Sequence, residues 1–339
     1  MKKIRFGIIG CAGIAQKQFI PAMRLASNAE ITAVGSRNLD QSKEYSKKNG
    51  IPRFFGSYEA LLDSPDIDAV YIPLPNSMHK EWAIKAAAAG KHILCEKPLA
   101  VTAEDCLEME KAARDHQVLL MEAFMYRFHP LTEKIIHDVH QGILGDQITI
   151  QSTHSFLLTD QTNVRLSADL AGGSLMDVGC YCVNITRTIF QEEPEAVAAI
   201  AHYHPHGVDD QMNILARFRS GRSAVLSCGL TANYPSGYLI SGTRGFIRAE
   251  YGFHLGINHG TVTRKIDGIE AELQDGTNEY TRMIEHFSDC VLCQKPLRYD
   301  AIEASKNMAF ICAALESAKK NGAWINLSDQ YYSSGDFPT

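Results

Sequence analysis

Two short stretches carry side chains suited to moving a proton. Glu96-Lys97-Pro98 closes a short apolar run, and the proline restricts the residue before it to an extended backbone, so the Lys97 ammonium is aimed. Further on, Gly172-Gly173-Ser174-Leu175-Met176-Asp177-Val178-Gly179-Cys180-Tyr181 opens a helix on which Asp177 and Tyr181, four residues apart, share a face. A carboxylate and a phenol beside a lysine form a proton relay. A free phenol, with a pKa of about 10, is a poor base at neutral pH, but a nearby ammonium favours the phenolate, and a depression of two units corresponds to about 2.7 kcal/mol. The plainer alternatives are a surface turn at Glu-Lys-Pro and a capped helix carrying a half-buried tyrosine.

A third stretch offers a binding surface. Ile4-Arg5-Phe6-Gly7-Ile8-Ile9 reads as a buried strand that breaks into Gly10-Cys11-Ala12-Gly13-Ile14-Ala15 where an amphipathic helix begins. Small residues let a ligand approach the backbone there, and the free N–H groups of the new helix attract negative charge. Against the dinucleotide template G-x-G-x-x-G/A the matching residues are Gly10, Ala12 and Ala15. The Ala12 methyl moves a pyrophosphate slightly outward or towards Gly13 and Ile14. At the end of the second strand, where an NAD site usually carries an acid for the ribose 2′-hydroxyl, stand Ser36 and Arg37. A guanidinium pairs with a 2′-phosphate and lies flat on adenine. That contact is worth about 1.5–3 kcal/mol, roughly a ten- to hundredfold preference. The pattern favours NADP, with NAD possible. A turn holding no ligand and a solvated arginine are the alternatives.

The elements around these stretches alternate. Strands are predicted at 4–9, 30–35, 69–72, 92–95 and 118–121, with helices at 14–26, 40–48, 78–89 and 102–115 between them. This spacing gives a doubly wound parallel sheet whose ligands sit at the carboxyl ends of the strands, where the residues singled out above fall. Beyond Pro130 the texture changes: a helix at 131–141, a strand at 148–156, a helix from 172 to 190, and then alternating segments at 197–203, 212–218, 223–230, 238–241, 246–250 and 261–265. These make a large open, mostly antiparallel sheet, followed by helices at 282–293 and 301–320, the latter expected to pack back on the first domain. One face of such a sheet needs a cover. A second copy of the chain is the simplest, which predicts a homodimer or homotetramer. The tail from Ser328 is polar and predicted to be loose.

The totals agree with two domains. A chain of 339 residues is long for one core, and 45% apolar with 21% charged residues is ordinary for a globular protein. A net charge of −6 argues against a nucleic-acid surface. No apolar run is long enough for a bilayer and no signal peptide is evident, which predicts a cytoplasmic protein without a membrane partner. Nine cysteines without a framework argue against disulfides, and the Cys290/Cys293 and Cys180/Cys182 pairs lack the partners of a metal site, so no metal is expected.

Together these motifs resemble the Gfo/Idh/MocA family along nearly the whole chain. The family's Glu-Lys-Pro is matched by Glu96-Lys97-Pro98, and its Gly-Gly-x-Leu-x-Asp-x-Gly-x-His helix by residues 172–181, with Tyr181 where many members carry histidine. Tyrosine there, with Met121-Glu122-Ala123-Phe124-Met125-Tyr126-Arg127-Phe128-His129-Pro130, is similar to the branch holding dimeric dihydrodiol dehydrogenase and the NADP-linked D-xylose 1-dehydrogenases. The resemblance implies an N-terminal Rossmann domain at 1–122 and a C-terminal α/β domain at 123–339 whose open sheet serves oligomerisation. It also implies cofactor contacts at Leu74, Pro75, Asn76 and His79, at Glu96, Lys97 and Arg127, and at Arg165.

The activity so implied is reversible NADP-dependent oxidation of a secondary or hemiacetal hydroxyl on a sugar or related polyol. Tyr181 takes the hydroxyl proton, Lys97 binds the oxygen, and Asp177 orients the substrate or the lysine; which of Tyr181 and Lys97 is the base is left open, because coupled groups titrate together. Three alternatives stand beside it: a trans-dihydrodiol or dicarbonyl reductase on the same residues, a non-catalytic NADP-binding regulator, and a hydrolase recycling NAD within one turnover.

Overall fold

The structure, a computed structural model, describes residues 2–146, 149–233 and 236–327. The chain divides into two compact units, residues 2–125 with 278–304, and residues 126–277 with those from Ser305 onward.

In the first unit six parallel strands, β1 (Ile4–Ile9), β2 (Ala29–Gly35), β3 (Arg53–Phe55), β4 (Ala69–Ile72), β5 (His92–Cys95) and β6 (Leu120–Glu122), lie in the order β3-β2-β1-β4-β5-β6. That is the doubly wound order of a Rossmann sheet, with its switch point between β1 and β4. β4 is buried at every position because helices cover both faces, which is why it reads as a continuous apolar run. Phe19 stacks on Tyr71 at 3.8 Å between ring centroids and meets Phe6 edge-on at 6.0 Å. The helix Glu279–Cys293 belongs to this unit: Phe287 is fully buried 5.9 Å from the Phe6 ring, and Glu285 accepts from the Ser27 hydroxyl. Burying a phenylalanine of that kind contributes about 1.5–3 kcal/mol. Strand β3 and the helix Tyr58–Leu62 are absent from the sequence reading. Three residues at a sheet edge leave no periodicity to read, although Ser57 caps the helix in the ordinary way, accepting from Ala60 N at 3.0 Å.

In the second unit nine strands form one sheet: β7 (Thr149–Ser155), β8 (Ala196–Tyr203), β9 (Asp209–Arg217), β10 (Ser223–Gly229), β11 (Gly237–Gly242), β12 (Gly245–Glu250), β13 (Thr261–Ile266), β14 (Ile269–Leu273) and β15 (Ile325–Asn326), in the order β14-β13-β12-β11-β7-β10-β9-β8-β15. Neighbours run antiparallel except β7 and β10, which are parallel. The alternation is plain in β9, where Met212, Ile214 and Ala216 are buried while Asn213, Leu215 and Arg217 are exposed. Strands β14 and β15 were not anticipated. Ile148, expected to start β7, and the tail from Ser328 lie outside the described residues. Among the described residues, no helix is long and apolar enough to cross a membrane.

Candidate active site

In the first unit the strand-to-helix corner after β1 has the shape a dinucleotide needs. Gly10 has φ +102°, which side-chain-bearing residues rarely adopt, and a Cβ there would stand 3.0 Å from Leu74 Cδ2 on the loop after β4. The end of β1 and the Leu74 loop are thus in contact at the switch point. Gly13 is exposed, with nothing within 4 Å of where its Cβ would be. Ala15 is fully buried beneath it and starts a π-helical turn, Ala15–Phe19, that continues as the helix Ile20–Leu25. The Ala12 carbonyl accepts from the Tyr45 hydroxyl at 3.0 Å, which pins the loop, while the N–H groups of Gly13, Ile14 and Ala15 stand in the first helical turn. An open glycine face, a left-handed corner and a helix N-terminus fit a pyrophosphate.

Past β2, Ser36 is buried and donates its hydroxyl to Gln41 Oε1 at 2.8 Å. Arg37 is exposed, and its guanidinium charge acts on the phenol of Tyr58. Burial raises the Tyr58 phenol above its ordinary pKa and the Arg37 charge opposes that rise. The same hydroxyl lies 3.7 Å from the Cβ position of Gly10, so Tyr58 links the corner after β1 to Arg37. Sequence reasoning did not find Tyr58; the only local signal was an aromatic residue right after the capping Ser57.

Leu74, Pro75 and Asn76 are half-buried along the loop after β4. His79 has no exposed surface to offer a ligand. Its Nε2 lies 2.8 Å from Leu74 O and its Nδ1 3.0 Å from Pro98 O, so it ties the loop after β4 to the loop after β5. Burial pushes its pKa down, which keeps the imidazole neutral. The loop after β5 is anchored twice more. Glu96 accepts from the Tyr71 hydroxyl at 2.5 Å and from Lys97 N at 3.3 Å, and Glu122 accepts from Leu99 N at 2.8 Å. Lys97, half-buried and followed by a cis peptide to Pro98, is therefore carried on a loop held from three directions. Glu122, in the quoted motif but given no role there, is one of those holds.

In the second unit the structure brings together two residues singled out separately. Arg165 Nε donates to Asp177 Oδ2 at 2.5 Å, and Asn163 Oδ1 accepts from Arg165 Nη1 at 3.3 Å. The double glycine is folded against the same loop, with Gly173 N donating to Arg165 O at 2.8 Å. Residues Leu175–Gly179 form a π-helical turn before the helix Cys180–Phe190, so Asp177 and Tyr181 are not one ordinary α-turn apart. Such turns are frequent at functional sites. Tyr181 is 4% exposed and sits among rings, with centroids at 5.2 Å from His154, 5.3 Å from Phe253, 5.8 Å from Tyr126 and 6.1 Å from His254. His154 Nδ1 pairs with Ser236 Oγ at 2.8 Å. Both histidines come from distant chain positions and went unnoticed in the sequence. Arg127 is buried in the short turn Met125–Phe128. All nine cysteines are thiols rather than half-cystines, and among the described residues no group of three or more His, Cys, Asp or Glu is placed to hold a metal ion.

Residues 4–124 match the family model described as an oxidoreductase family with an NAD-binding Rossmann fold, and residues 133–248 match the GFO/IDH/MocA C-terminal domain. The chain belongs to the Gfo/Idh/MocA family. It is an oxidoreductase that exchanges hydride between a nicotinamide cofactor and a CH–OH or carbonyl carbon. Among its relatives, D-xylose 1-dehydrogenase (NADP(+)) 2 of Haloferax volcanii is 38% identical over 94% of this chain and 98% of its own length. The trans-1,2-dihydrobenzene-1,2-diol dehydrogenase of Xenopus tropicalis is 35% identical over 70% of this chain and 72% of its own. Among solved structures, an aldose-aldose oxidoreductase from Caulobacter crescentus complexed with glycerol superposes with a TM-score of 0.89 at 29% identity, covering 96% of this chain and 100% of that one.

Proposed function

We propose that this oxidoreductase uses NADP(H) and acts on a secondary or hemiacetal hydroxyl of a sugar or related polyol, reversibly. Residues 10–15 hold the pyrophosphate, Ser36 and Arg37 shape the adenosine end, with Arg37 on the 2′-phosphate, and Leu74, Pro75, Asn76, Glu96 and Arg127 complete the cofactor site. His79 serves that site through the two loops it ties. Bound there, the nicotinamide supplies the hydride acceptor or donor.

The chain's own residues manage the oxygen and its proton. Lys97 donates a hydrogen bond to the substrate oxygen and stabilises negative charge developing on it. Tyr181 takes the hydroxyl proton during oxidation and returns it during reduction. Asp177, steadied by Arg165, orients the substrate or the lysine. The observation that carries this reading is the Lys97 loop, fixed by His79, Glu96 and Glu122 at the carboxyl end of β5. A lysine used only for solubility would not call for such anchoring, which also weighs against a purely regulatory role. The test is a panel of aldoses, polyols and cyclic diols followed through the near-ultraviolet absorbance of the reduced cofactor, with NADP and NAD in parallel. Turnover of no sugar or polyol with either cofactor would refute the assignment. The dihydrodiol dehydrogenase relative favours a second reading, trans-diol oxidation or dicarbonyl reduction on the same residues, and turnover of diols alone in that panel would select it.

We also propose a homodimer or homotetramer built on the open sheet, because Ile200, Leu215 and Val225 are exposed on neighbouring strands of one face. A monomer mass in light scattering would reject it. Nine cysteines in the thiol form suit a reducing cytoplasm.

A further inference from the structure

The helix that carries Asp177 and Tyr181 begins on a buried carboxylate. Asp209, the first residue of β9, is 3% exposed, and its Oδ2 accepts from Ser174 Oγ at 2.6 Å and from Leu175 N at 2.7 Å. One acid thus satisfies both the side chain and a backbone donor of the first turn. Gly173 makes the approach possible. With φ +113°, its Cβ position lies 2.3 Å from Asp209 Oδ1, so any side chain there would expel the carboxylate. The Gly173 carbonyl in turn accepts from Asp177 N at 3.0 Å. The Asp209 carboxylate, Gly173, the π-turn and the two residues with assigned chemistry therefore form one short chain of contacts.

We propose that Asp209 is a positioning residue for the reaction, the carboxylate cap that sets the start of the π-turn Leu175–Gly179 and through it the placement of Tyr181 and Asp177. The proposal rests on the reading of Tyr181 as proton acceptor. The titratable groups facing Asp209 are Asp210, itself paired with the exposed His202, Tyr203 on β8, and Cys228 on β10, which lies 3.5 Å from Ser174 Oγ. None of them supplies a positive charge to Asp209, and burial raises its pKa to about 6. The cap weakens once it is protonated, because a neutral carboxyl accepts less strongly than an anion.

The test compares Asp209→Ala, Asp209→Asn and Tyr181→Phe in the full chain. Asp209→Ala should lower kcat roughly ten- to a hundredfold, the scale on which a small misplacement of a reacting group counts. KM should move little, and NADPH affinity by calorimetry should be unchanged. Asp209→Asn keeps an acceptor of the same shape without the charge, so it should rescue part of kcat and lack the fall in kcat expected of wild type below about pH 6. Asp209→Ala turning over within twofold of wild type, with Tyr181→Phe inactive, would overturn the cap alone. A fully active Tyr181→Phe would instead remove the proton-acceptor reading beneath it. Where Asp209→Ala fails to fold, the Asn variant decides, and an acid limb identical to wild type overturns the proposal.

Discussion

The guanidinium of Arg165 holds the carboxylate of Asp177, Nε to Oδ2 at 2.5 Å, with Asn163 steadying the arginine from the other side. The arginine side chain is 37% exposed, so solvent screens the pair and its contribution to stability is small, about 0–1 kcal/mol. Its use is geometric. Arg165→Gln should leave the thermal unfolding midpoint nearly unmoved while kcat falls roughly tenfold, in the lower range for lost positioning. A variant with wild-type kcat would show that Asp177 needs no such partner.

Lys97→Met removes the ammonium and keeps the stem. Its kcat should fall roughly a hundredfold or more, in the range of lost acid–base help, with NADPH binding retained in calorimetry. A Lys97→Met enzyme with ordinary turnover would end the lysine's assignment.

Arg37 and Tyr58 set the cofactor preference in this reading. Arg37→Ala should cost NADPH roughly ten- to a hundredfold in Kd and leave NADH nearly unchanged, as for a lost charge-assisted contact. Tyr58→Phe removes the hydroxyl on which the guanidinium charge acts and should act in the same direction but less. Equal losses for both cofactors would mean that Arg37 does not read the 2′-phosphate.

Two buried groups pull the pH dependence of stability in opposite directions. His79 is held neutral by burial, so the unfolded chain binds the extra proton, and stability is lost as pH falls below the ordinary histidine value of 6.5. Asp209 has its pKa raised from 3.8 to about 6, so the folded chain holds the extra proton in between, and stability falls as pH rises across that window. Urea unfolding across pH should show His79→Gln flattening the first slope and Asp209→Asn the second. His79→Ala should also cost about 1–3 kcal/mol, because the neutral ring's single N–H bonds one of the two carbonyls it lies between, Leu74 O or Pro98 O, and the substitution leaves that carbonyl buried without its donor. An unchanged slope in either conservative variant would reject that group's share.

Much of this protein is legible in its residue order, because the signals are local. The apolar runs of β1 and β4, the small residues of 10–15, the proline after Lys97 and the double glycine before Asp177 each report on their own few neighbours, and so does the two-residue alternation of β9. That was enough for a parallel sheet with the singled-out residues at its strand ends, followed by an open, mostly antiparallel one. The family motifs added roles to individual positions.

What the chain order could not show is which distant residues meet. His79 reads as a ligand in its motif, yet folding buries it as the tie between two loops. Tyr58 arrives beside Arg37 through an edge strand too short to leave a pattern. Asp209 reaches under Gly173 only because the register of β9 against β8, which sets it opposite Tyr203, delivers it there, and His154 stands beside Tyr181 only because β7 packs against that helix. Register follows from burying whole sheet faces at once, a cooperative choice that no short window of residues contains. Sequence alone therefore determined the elements and the chemical groups they carry, while tertiary structure decided which of those groups are held, by what, and how firmly.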